Sequence, residues 1–347
     1  MDTHTFQSLP DVQSLEDVRA LLTALPAPDA ETREKARWRD AALTKPPGAL
    51  GRLEEIAAFM SAWQGRHPPR LERVTVAVFA ANHGVAARGV SAFPQDVTAQ
   101  MVANFEAGGA AINQLCRAFG YELTVLPLHD LKPTGDISRE EAMTEAQCVR
   151  AVRAGMTVVN ERPDLLCIGE MGIANTTVAS ALLHALFGGH AEDWVGPGTG
   201  VDAAGVRHKA AVVATAVQRH AVAKDDPLEL LRRLGGFEFA AMAGAIIAAR
   251  HMRAPVMLDG FMTAAAAAVL HAAAPESIAH CLAGHVSAEP AHARALAHMN
   301  LRPLLDLDMR LGEATGAALA AQVVRAAVET HNGMATFAEA GVSGKDG

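Results

Sequence analysis

The sequence predicts an α/β protein with a doubly wound, mostly parallel sheet of the Rossmann-like kind and a smaller helical domain drawn from both chain ends. Three observations carry this. From residue 74 onward, short apolar β-branched runs alternate with long Ala-rich helical stretches, the pattern of strand, crossover helix and parallel strand. Half of the residues are hydrophobic but only 4% are aromatic, so the core is built from Ala, Val, Leu, Ile and Met, which suits helix-rich α/β better than an all-β sandwich. A chain of 347 residues exceeds one minimal domain and falls short of three ordinary ones, so a large domain with a small one beside it is the natural division.

Taken in order, residues 12–24, 29–43 and 49–63 read as helices, with the Lys45-Pro46-Pro47-Gly48 break setting a turn before the third. Val74 to Ala80 is the first strand, a β-branched run bounded by turn residues. Further strands are predicted at Glu122 to Leu128, Leu165 to Ile168, Val256 to Leu258 and Ile278 to Ala283. Pro227 to Arg250 reads as a helix, a Gly235-Gly236 break and a second helix, and Thr315 to His331 as one last long helix. The doubly wound α/β domain is placed at 65–310, the small helical domain at 1–64 with 311–340, and a tail at 341–347.

Composition removes several classes of function. A formal net charge of -8 opposes neutralisation of a phosphate backbone, so nucleic acid is not an expected partner. The polar Met1 to Asp11 stretch has no basic residue ahead of an apolar run, hence no signal peptide. The longest apolar runs fall short of the roughly 20 residues a membrane helix requires, so a soluble, cytoplasmic protein is expected. Four cysteines without a C-x-x-C pair suggest neither structural zinc nor a disulfide framework. Among 15 histidines, the best metal set is His285, Glu289 and His292, but Pro290 starts a helix between them and they do not share a face. No metal and no cofactor are therefore expected, and Ser287 lacks the elbow of a hydrolase nucleophile.

In an open parallel sheet, ligands sit beyond the carboxyl ends of the strands. Here those ends read Asn82-His83-Gly84, His129-Asp130, Gly169-Glu170, Asp259-Gly260 and Gly284-His285-Val286-Ser287. Polar or ionisable residues at all five, usually next to glycine, favour a site over five separate turns. Asn175-Thr176-Thr177 opens a helix after the third strand; such a start attracts phosphate through free N–H groups, and equally such residues cap their own helix. A second loop, Gly196 to Asp202, has three alternating glycines that allow close backbone approach. It does not match the dinucleotide fingerprint, and no G-x-x-x-x-G-K-S/T occurs. Arg207 and Lys209, along the following helix, read from spacing alone as solvated residues. Glu313 lies between two glycines ahead of the last helix, one carboxylate among several, with Glu170 as a second that could raise its pKa.

These segments resemble the nicotinate-nucleotide:dimethylbenzimidazole phosphoribosyltransferase family of cobalamin biosynthesis. The matching blocks are KPPGALGRLE (Lys45 to Glu54), NHGVAARGVSAFPQDVTAQM (Asn82 to Met101), GEMGIANTT (Gly169 to Thr177), GPGTGVD (Gly196 to Asp202), LDGFMTAAAA (Leu258 to Ala267), GHVSAEP (Gly284 to Pro290) and RLGEATGAALA (Arg310 to Ala320). They stand in family order over most of the chain. The resemblance implies attack of a benzimidazole-type base on the anomeric carbon of nicotinate mononucleotide, with nicotinate leaving and the configuration inverting. It implies Glu313 as proton acceptor and Glu170 as a second acid. It implies Gly172, Ile173, Ala174, Asn175, Thr176 and Thr177 with Gly198, Thr199 and Gly200 around the ribose phosphate, with Lys209 nearby. It assigns Ser91, Phe93, Gln100, Ser287 and Leu311 to the base pocket, and it suggests a homodimer. Ala174 stands where the family pattern has glycine, and Asn82 and Pro197 stand where acidic and basic residues are expected.

The chemistry fits that assignment. As one ring nitrogen of a benzimidazole bonds to carbon, the N–H of the other becomes acidic, and a carboxylate within about 3 Å is worth roughly 10² to 10⁴ in rate. Two rivals are a nicotinamide-dependent oxidoreductase and a non-catalytic nucleotide sensor on the same fold.

Overall fold

The computed structural model describes residues 11–160 and 162–343. The polar start at 1–10 and residues 344–347 of the expected tail lie outside the described residues. Three helices come first: α1 (Leu15–Thr23), α2 (Ala30–Ala42) and α3 (Arg52–Gln64). Ser14 and Asp17 form a reciprocal capping box at the start of α1, and the Asp29 carboxylate caps α2.

The sheet then builds from β1 (Val74–Ala80), α4 (Val97–Glu106), α5 (Ala111–Phe119), β2 (Glu122–Pro127), α6 (Glu145–Met156), β3 (Leu165–Met171), α7 (Asn175–Phe187), α8 (Ala203–Arg219), α9 (Pro227–Leu234), α10 (Phe237–His251), β4 (Val256–Leu258), α11 (Phe261–Ala273) and β5 (Cys281–Ala283). After it come β6 (His285–Val286), α12 (Pro290–His298), β7 (Leu305–Asp306), α13 (Thr315–Gly333) and α14 (Phe337–Ala340). The five strands pair in parallel in the order β2-β1-β3-β4-β5. The chain leaves β1 to one side for β2 and returns to its other side for β3, so the strand order reverses between β1 and β3. Such a switch point opens a crevice beyond the carboxyl ends of the strands.

Every residue of β1 is buried, and alternate side chains enter two cores. Ala77 and Phe79 join α6, α7, α10 and α11 on one face. Val74, Val76 and Val78 join Ile56 and Met60 of α3 and Ala317 and Ala318 of α13 on the other, together with Cys167 and Met257. Glycines let α6 and α10 cross closely. A Cβ on Gly155 would stand 1.7 Å from the Ala241 carbonyl oxygen, and one on Gly244 would stand 2.1 Å from that of Val152; the backbones meet because neither residue has a side chain.

Two strand boundaries need correction, and two short strands are additions. The third strand does not end at Ile168: Gly169, Glu170 and Met171 pair with Val78, Phe79 and Ala80, so Glu170 is a strand residue. The fifth does not begin at Ile278, because Pro275–Ile278 forms a 3-10 turn and only Cys281–Ala283 pairs. The two-residue β6 and β7 pair in parallel and are too short to leave a periodic signal. Among the described residues, no helix is long and apolar enough to cross a membrane.

Candidate active site

Glu313 is set by backbone. Gly312, Glu313 and Ala314 have φ of 82°, 61° and 64°, a left-handed run that non-glycine residues rarely adopt and that recurs at functional sites. The run is clamped on one side by β3, where the Glu313 N–H donates to the Glu170 carbonyl at 3.3 Å. A Cβ on Gly169 would stand 2.1 Å from the Ala314 nitrogen, so only glycine lets the strand come this close. On the other side Asp259, just past β4, accepts the Ala317 N–H at 2.9 Å, a carboxylate at the positive end of α13.

Glu313 is buried, and its Oε2 has no hydrogen-bond partner. Burial and the neighbouring Asp259 charge push its pKa up to about 7. Burial, then the charges of Asp259 and Glu238, hold the Glu170 carboxyl well above the usual carboxylate range, while the amide hydrogen bond from Asn175 opposes this. Burial also raises Asp259 against the opposing pull of His285 and of backbone donors at the start of α13. Glu170, Asp259 and Glu313 are all buried at the carboxyl edge of the sheet. Like charges in so little water cannot all ionise, so this edge is poised to accept a proton or to face developing positive charge.

Beside it lies the loop region expected for phosphate. Gly172, Ile173, Ala174 and Asn175 are buried, and neither Asn175 nor Thr176 caps α7 through its side chain. Ala174 has φ of 73°, a conformation that glycine adopts freely and that strains an alanine. Lys209 is not solvated as spacing suggested: it is 1% exposed, and Nζ donates to Thr176 Oγ1 at 2.7 Å and to the Gly196 carbonyl at 3.3 Å. Burial lowers its pKa to about 8, opposed by the Glu289 charge. A Cβ on Gly198 would stand 3.0 Å from Thr176 Oγ1 and 3.3 Å from Lys209 Nζ, so both glycine loops meet at the lysine. Arg310 closes the loop from outside, with Nη1 donating to the Gly198 carbonyl at 3.2 Å. Thr199 and Gly200 form its exposed tip, and Thr177 is fully buried with an unpartnered hydroxyl.

The residues assigned to the base pocket are less closely tied. Phe93 and Leu311 are exposed apolar side chains, 50% and 57%. Gln100 is exposed and Ser91 half-buried, with Ser91 Oγ accepting the Phe93 N–H at 3.3 Å. Their segment reaches the loop expected to take phosphate through Thr98, whose Oγ1 accepts the Ile173 N–H at 3.2 Å. Ser287 sits near Gly260, and its N–H donates to His292 Nδ1 at 2.9 Å. His285 belongs to β6 while His292 is spent on Ser287, so the triad weighed for metal is divided among other contacts.

Sequence reasoning left out Glu238, Glu289 and Arg310 as site residues. Glu238 did leave a signal, as the only charged residue in the apolar run from Phe237 to Ala249. Glu289 was weighed only as a metal ligand and Arg310 left no signal, because their place at the site comes from their approach to Lys209 and Gly198.

A parallel sheet whose switch-point crevice holds a glycine-lined cationic loop opposite clustered carboxylates suits transfer of a phosphorylated sugar. The chain belongs to a phosphoribosyltransferase family, which it matches over residues 25–342. It is 57% identical over 331 residues to the nicotinate-nucleotide–dimethylbenzimidazole phosphoribosyltransferase of Rhizobium leguminosarum bv. trifolii, covering 95% of this chain and 98% of that protein. The enzyme of the same name from Methylorubrum extorquens is 56% identical over 332 residues, covering 95% and 97%. The crystal structure of CobT from Thermus thermophilus aligns with a TM-score of 0.85 at 45% identity, over 90% of this chain and 99% of that one.

Proposed function

We propose that the protein transfers the phosphoribosyl group of nicotinate mononucleotide to 5,6-dimethylbenzimidazole, giving α-ribazole 5'-phosphate and nicotinate for the lower ligand of cobalamin. The lone pair of one benzimidazole nitrogen forms the new bond to the anomeric carbon as the bond to the nicotinate nitrogen breaks, and nicotinate leaves with a neutral pyridine ring. The proton from the second benzimidazole nitrogen goes to Glu313. The observation that carries this reading is the buried Glu313 carboxylate, with one oxygen unpartnered and a pKa raised to about 7, in the range where a general base is most effective. Glu170 and Asp259 face the ribose as it gains oxocarbenium character. Lys209 and the loops at 172–177 and 198–200 take the phosphate, and Ser91, Phe93, Gln100, Ser287 and Leu311 border the base. A cytoplasmic homodimer completes the proposal.

The test is incubation with both substrates and quantification of nicotinate and α-ribazole 5'-phosphate, expected in equal amounts. Reduction of NAD without any such transfer would favour the oxidoreductase instead, and binding without turnover the sensor.

A further inference from the structure

His83, three residues past β1, and Glu238, in the first turn of α10, meet behind the phosphate loop with Nε2 and Oε1 2.6 Å apart. Both side chains are fully buried. Neither His83 Nδ1 nor Glu238 Oε2 has a partner. Both atoms abut Gly236, where an added Cβ would stand 3.0 Å from Nδ1 and 2.7 Å from Oε2. A buried ionisable pair with unsatisfied atoms is a poor device for stability alone. Its other side faces the loop: a Cβ on Gly172 would stand 3.2 Å from His83 Nε2 and 3.4 Å from Glu238 Oε1. The first residue of the loop therefore rests on the shared hydrogen bond.

The same histidine is tied to the segment assigned to the base. Gln95 Nε2 donates to the His83 carbonyl at 3.0 Å. Three residues further on, the fully buried Thr98 accepts the Ile173 N–H. Segment 83–98 thus grips residues 172–173 at two points, an imidazole against Gly172 and a hydroxyl on Ile173. We propose that His83 and Glu238 are a positioning pair that locks segments 91–100 and 172–177 into one register, bringing base nitrogen and anomeric carbon to reacting distance together. The inference rests on the assignment of those segments to base and phosphate given above. Glu238 touches neither substrate and acts through His83.

Glu238→Gln keeps a hydrogen bond to the ring, whereas Glu238→Ala leaves the ring unheld. The alanine variant is expected to bind nicotinate mononucleotide and dimethylbenzimidazole, each titrated alone by calorimetry, with little loss of affinity. Its kcat should fall about 10²-fold, the effect of roughly 1 Å of misplacement, and glutamine should recover most of it. Hydrogen exchange of the substrate-free proteins reads the lock directly: amides at 172–177 should exchange faster in the alanine variant and not in the glutamine variant. Unchanged kcat with unchanged exchange at 172–177 would overturn the proposal, as would an affinity that falls in step with kcat. Wild-type protein without turnover would sink the functional reading separately, and the exchange result would still decide whether the pair holds the loop.

Discussion

Glu313 hangs its backbone N–H on the carbonyl oxygen of Glu170 at 3.3 Å, so main chain fixes the spacing of the two carboxylates. Their side chains are left to respond to charge. That separation of duties makes the site open to isosteric substitution.

Glu313→Gln preserves shape and removes the proposed base. Turnover should drop about 10² to 10⁴-fold, measured as nicotinate released under saturating substrates. A rate within a few-fold of wild type would take the role away from Glu313.

The raised pKa of Glu313 also sets a sign for stability. Its folded pKa lies above the unfolded one, so its contribution is full below the unfolded value near 4.5 and is lost as pH rises through about 7. Wild type should therefore lose Tm relative to Glu313→Gln between about pH 5 and pH 8. Parallel Tm curves for the two proteins would contradict the shift.

Asp259 is the charge that, after burial, raises Glu313. Asp259→Asn should move the rising limb of the kcat/KM profile to lower pH, because removing a neighbouring negative charge favours ionisation. A limb that stays in place would show the coupling to be negligible.

Lys209 is predicted to act in binding. Lys209→Met should raise the KM for nicotinate mononucleotide about tenfold or more, since a hydrogen bond to a charged group is worth about 1.5–3 kcal/mol, with a smaller effect on kcat. Inhibition by inorganic phosphate, assayed alongside, should weaken in step.

At Ala174 opposing terms nearly cancel. Ala174→Gly relieves about 1–2 kcal/mol of left-handed strain but loses about 0.8 kcal/mol of buried methyl and about 0.5–1 kcal/mol to chain entropy. Urea unfolding should show a change within about 1 kcal/mol; a larger one would mean that the loop rearranges.

The fold was legible because its signals are local. Strand runs such as VTVAVFA and the Gly235-Gly236 break announce themselves within a few residues. The strand ends pointed to the edge where the carboxylates gather. What escaped was set by tertiary approach: the burial of Lys209 depends on a loop upstream of its own helix, and the length of β3 on its pairing with Phe79 and Ala80. For Glu313 the sequence offered only a carboxylate between glycines, and the resemblance to a family supplied its role. The geometry adds the reason it is poised, a left-handed run held against β3 that buries the carboxyl near the Asp259 charge.

That run ties chemistry to the order in which the molecule comes apart. Gly312, Glu313 and Ala314 keep their conformation only while Gly169 is seated against them and Asp259 holds the first turn of α13. If the carboxyl ends of β3 and β4 fray and unseat Gly169 and Asp259, all three residues are released even where the helices still stand. On heating, turnover should vanish while circular dichroism still reports an intact helical content, so the working enzyme is a stricter gauge of a finished sheet than any spectrum of its helices.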